Sequence, residues 1–177
     1  MHAAGCYDNE LKIECASDYI ISSYTASVAT LLTPSPTTAS KAFKMMAVIQ
    51  SCDLSSTKKE LEKIERHVSS DSLIRLGVPG AVANVEGVAS RLSDASIVHF
   101  ACHGKQDRVN PLNSGLKLED GLLTVSRIMK EATPNGTLAF LCACETAMGD
   151  TNIPDEAMNL GASLLFSGFP SVVATMW

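Results

Sequence analysis

An α/β fold, with a mostly parallel sheet flanked by helices, is what the sequence predicts, and three observations predict it. Nearly continuous apolar runs of strand length recur at residues 43–50, 96–101, 137–142 and 171–176. Such runs suit strands covered on both faces. Between them lie segments with helical spacing or turn residues, and strands that alternate with helices point to parallel pairing. Finally, 177 residues with 46% hydrophobic and 19% charged side chains suffice for one self-supporting core. Residues 1–177 are therefore expected to form a single domain, with an ordered core over about 18–177.

The elements follow in order. Residues 19–24 read as a strand, 27–32 as a short helix or turn, and 33–40, with two prolines, as a loop. Residues 57–68 form an amphipathic helix with Leu61, Ile64 and Val68 on one face, and Thr57 with Glu60 three residues on spells a capping box. A short strand over 73–76 and a helix over 81–92 precede the run at 96–101. A polar loop over 105–111 leads to two apolar arms around Asp120-Gly121, a hairpin signal. A helix over 124–130, a turn at 134–136 and the run at 137–142 come next. The uncharged stretch 157–177 is long enough to cross a bilayer. Gly168 and Pro170 interrupt it, so a helix over 155–167, a turn and a strand over 171–176 describe it better, and no membrane partner is expected.

Charge and cysteine content narrow the function. The net charge of -5 offers no clustered basic residues for a phosphate backbone, which excludes nucleic acid as the main partner. The start of the chain lacks the pattern of a secretory leader, so the six cysteines are expected to be free thiols in a cytoplasmic protein.

In open α/β sheets, sites lie beyond the carboxyl ends of the strands. Two runs end in reactive residues: Val98-His99-Phe100-Ala101-Cys102-His103-Gly104 and Leu141-Cys142-Ala143-Cys144-Glu145-Thr146. If these strands are neighbours, His103 and Cys144 leave the sheet side by side. An imidazole near a thiol draws off its proton or stabilises the thiolate, the minimum for acyl transfer. Gly104 lets a substrate backbone approach, and its N–H suits an oxyanion. Spacing alone does not choose between this chemistry and chance placement. By strand alternation His99 belongs inside the layer as a hydrogen-bonded core histidine, and Cys102 and Cys142 read as small core side chains. Zinc is the rival reading, since His99, Cys102, His103, Cys142 and Cys144 offer enough nitrogen and sulfur donors, although no C-x-x-C pair occurs.

At these residues the chain resembles the CHAT domain, a member of the caspase and separase superfamily of cysteine peptidases, and its fungal versions in particular. The resemblance rests on the two runs just quoted, on Ala147-Met148-Gly149-Asp150 and on residues 154–158, 164–166 and 171–177. Residues 18–25 and 43–50 also fit. It implies a caspase-like three-layer fold and a dyad of His103 and Cys144. It also implies an oxyanion hole from the backbone N–H groups of Gly104 and Cys144, and no metal or cofactor. The expected activity is endopeptidase cleavage of a protein or peptide substrate after a basic P1 residue. Substrate would lie across the strand ends and touch the 105–111 loop. Family members often follow helical repeat (TPR-type) regions, which are candidate partners within a longer protein. Three positions depart from the family: Cys142 replaces a serine, Asn159 a histidine, and Pro170 an arginine. Pro170 would disturb the entry to the last strand. With the chain ending at Trp177, the C-terminal part of the fold, including the acidic position thought to line the S1 pocket, is expected to be missing. A catalytically silent interaction module of the same fold is the alternative function.

Overall fold

The computed structural model describes residues 5–6, 14–21, 42–50, 54, 56–107, 109–143 and 160–174. The chain divides into two compact units, Met1–Pro34 and Ser35–Trp177. In the first, β1 (Gly5–Cys6) and β2 (Glu14–Cys15) pair antiparallel, and a 3-10 turn follows at Ala16–Asp18. The strand expected over 19–24 is absent from its described part. Tyr19 and Ile20 both return their N–H groups to the Ala16 carbonyl, at 3.1 and 3.0 Å, so a local turn takes the donors a ladder would need. The elements expected over 27–32 and 33–40 lie outside the described residues.

The second unit is organised by five strands: β3 (Met45–Ile49), β4 (Leu73–Leu76), β5 (Ile97–Ala101), β9 (Leu138–Leu141) and β10 (Val172–Ala174). Their order is β10-β9-β5-β3-β4, and every pair is parallel. The apolar runs of the sequence are thus the sheet. One face is covered by α2 (Val85–Ala89), α3 (Val125–Ile128) and α4 (Leu160–Ser167). A small antiparallel sheet, β6 (Gly104–Lys105), β7 (Gly115–Lys117) and β8 (Leu122–Thr124), packs into the same cluster through Leu116 and Leu123. The other face meets α1 (Ser56–Glu65), where Leu61 and Ile64 pack on Ala47, Ile49 and Ala101. Helices on both faces of a mostly parallel sheet give the α/β architecture that the sequence predicts.

Several elements differ locally from expectation. The capping box is not formed: α1 starts at Ser56, Thr57 Oγ1 donates to the Leu54 carbonyl at 2.7 Å, and Glu60 bonds a histidine instead. The helix expected over 81–92 shrinks to α2 and a 3-10 turn at Leu92–Asp94. The hairpin tip explains the late start. Glu119 Oε1 accepts from Ala83 N at 3.1 Å, Asp120 Oδ1 accepts from Val85 N at 2.8 Å, and Asn84 caps the helix by accepting from Gly87 N at 2.6 Å. The Ala83 and Val85 donors are held by carboxylates 36 and 35 residues away, which no local pattern encodes. The hairpin around Asp120-Gly121 forms as expected, with β6 as an added third strand.

At the end of the described chain, Gly168 turns α4 toward β10 with a φ of 118°, a backbone region that favours glycine. Phe169 is buried and Pro170 exposed in the bend, and β10 pairs with β9 two residues later. Pro170 therefore does not disturb the strand, because its missing N–H falls before the ladder begins. Among the described residues no helix is long and apolar enough to cross a membrane. Residues 155–159 and 175–176, included in the expected last helix and strand, lie outside them.

Candidate active site

The strands that carry the two reactive runs are neighbours. In the parallel β5–β9 pair, His99 lies level with Phe140 and Phe100 with Leu141. The ladder continues one residue past β9, since Cys142 N donates to the Phe100 carbonyl at 2.8 Å. The condition set by the sequence, adjacent strand ends, is met. Cys144 itself, three positions beyond Leu141, lies outside the described residues, and so does Arg108 in the loop after β6.

His103 is half-buried, and its backbone is held from two sides. Its N–H donates to Gln50 Oε1 at 3.0 Å, and its carbonyl accepts from Lys117 N at 2.7 Å. The second bond also sets the phase of the β6–β7 ladder. With His103 bonded to Lys117, the next pair, Gly104 and Leu116, is of the non-hydrogen-bonded kind. The Gly104 N–H is therefore turned away from β7. It is a backbone donor next to His103 that its own sheet does not consume.

The loop that follows is built around Asp107. Its carboxylate accepts from Asn110 N at 2.9 Å and Val109 N at 3.0 Å, and its own N–H donates to Ser114 Oγ at 2.9 Å. The backbone bonds from Asn110 and Val109 hold the Asp107 carboxyl below its ordinary pKa. Val109, whose N–H is held in this way, is almost fully exposed.

The remaining candidates separate by face. Cys102 is buried in the large cluster with Phe100, and burial pushes its thiol up to about 12. His99 is buried on the opposite face, where its Nε2–H donates to Glu60 Oε2 at 3.0 Å and its ring stacks on Phe140 at 5.3 Å between centroids. It is a satisfied core histidine, as the alternation predicts. Cys142 corrects an expectation: it is exposed, not a core side chain. It follows β9 on the face of Phe140, where the described cover thins out. Partial desolvation raises its thiol pKa first, and the Glu60 carboxylate and a hydrogen bond to it raise it further. Cys102 thus faces away from His99 and Cys142. Among the described residues no three His, Cys, Asp or Glu side chains are grouped to hold a metal ion. Two contributors went unread in the sequence. Glu60 looks like a helix cap, and Gln50 like the polar end of an apolar run, although the strand-end rule points to it.

With the sheet order and the His103 strand end in view, the family comparison is decisive. The model of the CHAT domain matches residues 13–177. The chain belongs to the CHAT domain family. At family level this makes the CHAT unit a caspase-like cysteine-peptidase-type domain, in keeping with its parallel sheet and its two reactive strand ends. Among curated proteins nothing matches the chain.

Proposed function

We propose that this CHAT domain is a cysteine endopeptidase whose nucleophile is Cys144 and whose acid and base is His103. The observation that carries the reading is the adjacency of β5 and β9 in parallel register, which ends the two motif-bearing strands next to each other. His103 takes the Cys144 proton, and the thiolate attacks the scissile carbonyl. The oxygen of the tetrahedral intermediate accepts from backbone N–H groups, for which Gly104, turned away from β7, is suited together with Cys144. The imidazolium returns the proton to the leaving amine, and a water activated by His103 then hydrolyses the thioester. The substrate is a protein or peptide lying across the strand ends and touching the loop at 105–111, with a basic residue at P1. A reducing compartment such as the cytoplasm keeps such a thiol active.

The raised pKa values of Cys102 and Cys142 keep these two thiols from competing in the test, because at neutral pH neither ionises readily. A peptide acyloxymethyl ketone with Arg at P1, applied at pH 7, is expected to label Cys144, as mapped by mass spectrometry, and His103→Ala to abolish the labelling. If instead all six cysteines react slowly and alike, the peptidase reading fails and the domain is an interaction module of the same fold.

A further inference from the structure

Gln50 stands one residue beyond β3 and links three elements. Its backbone N–H donates to the Ala101 carbonyl at 2.9 Å, which continues the β3–β5 ladder, and its carbonyl accepts from Leu54 N at 3.0 Å, just before α1. The main chain of Gln50 is thus anchored before its side chain is used. From that anchored position Oε1 accepts the His103 N–H at 3.0 Å, across 53 residues of sequence. On the other side of the same residue, Lys117 N holds the His103 carbonyl at 2.7 Å. The β6–β7 ladder uses the carbonyl of His103, whereas the side chain of Gln50 takes its N–H. The peptide groups that set the φ and ψ of His103 are therefore tied to two different parts of the sheet system, and with them the direction of the Cα–Cβ bond.

We infer that Gln50 is a positioning residue for His103: it fixes the backbone from which the imidazole reaches the nucleophile. The inference rests on the dyad reading above. In acyl transfer a displacement of an ångström between base and nucleophile costs on the order of a hundredfold in rate. Loss of this one acceptor lets the His103 turn relax, while the substrate still meets the same loop and strand ends. The effect then falls on the chemical step and not on binding.

The experiment uses the full chain and the Arg acyloxymethyl ketone, followed as a function of probe concentration. Gln50→Met preserves length and shape and removes the acceptor. It is expected to lower the maximal rate of Cys144 labelling by about tenfold or more, with the half-saturating probe concentration unchanged within about twofold. Equal rates in Gln50→Met and the wild type, or a change confined to the half-saturating concentration, overturn the inference and leave the dyad standing. A wild type that leaves Cys144 unlabelled overturns both. Amide hydrogen exchange of the wild-type chain supplies a measurement that does not depend on the variant folding. The His103 N–H is expected to be protected, and exchange at the rate of an unstructured amide sinks the inference by itself.

Discussion

Along β5, Val98 and Phe100 face a cluster that takes side chains from α2, α3, α4 and the small sheet, whereas His99 and Ala101, their neighbours on the same strand, face α1. The first face is apolar and closed. Met46, Val98 and Ala139, level with one another across three strands, have no exposed surface. The second face changes character along one row. Ala47 is fully buried, His99 is buried but bonded to Glu60, Phe140 is half-buried, and Val173 is 48% exposed. The cover of this face thins across the strands from β3 toward β10, and its polar groups, His99 on β5, Glu60 on α1 and Cys142 after β9, lie along that gradient. One face of the sheet is closed and apolar around a single buried thiol, Cys102, and the other carries a paired histidine and carboxylate and an exposed thiol.

Truncating Phe100 tests this difference most severely. Phe100→Ala removes a fully buried ring from the closed face and is expected to cost about 3–5 kcal/mol in urea unfolding. Leu61→Ala on the α1 face is expected to cost about 2 kcal/mol, because the side chain is smaller and keeps 8% of its surface exposed. Equal costs would show that the two faces contribute alike.

The alkaline limb of stability comes next. The Cys102 thiol titrates near 12 in the folded chain against an ordinary value of 9.0. Between those pH values the unfolded chain loses a proton that the folded chain keeps, so unfolding gains and stability falls as pH rises. The loss reaches the order of a few kcal/mol at the top of that window. Cys102→Ala is expected to flatten the fall between pH 9 and pH 11, whatever its constant cost. An unchanged slope would mean that the closed face admits the thiolate.

The smallest effect belongs to the open face. Glu60→Gln removes the carboxylate that faces both His99 and Cys142. With the Glu60 side chain about a third exposed, at 35%, the stability change is expected to be about 1 kcal/mol. The Cys142 pKa should fall once the negative charge is gone, and iodoacetamide at pH 8 should alkylate Cys142 faster than in the wild type. No change in that rate would show that the carboxylate does not govern the thiol.

How much of this was legible depends on the range of the interactions. The strands came out of the apolar runs at 43–50, 96–101 and 137–142, and the hairpin out of Asp120-Gly121, because periodicity and turn chemistry act within a few residues. The burial of His99 followed from alternation within one strand. Glu60, read as a cap, is instead taken by a histidine 39 residues away, and the helix over 81–92 was shortened by carboxylates of the hairpin tip. Cys142, read as a small core side chain, is exposed, because the sequence has no means of telling whether the face beyond β9 is covered.

The sequence by itself determined the α/β class, the order of the elements and the two motifs that end in His103 and Cys144, since each is written in contiguous residues. Only the tertiary structure decided that β5 and β9 are neighbours, that Gln50 holds the His103 backbone and that the Gly104 N–H is turned away from its own ladder. These depend on strand order and ladder phase. Both are set by packing between segments tens of residues apart, where local propensity has no influence.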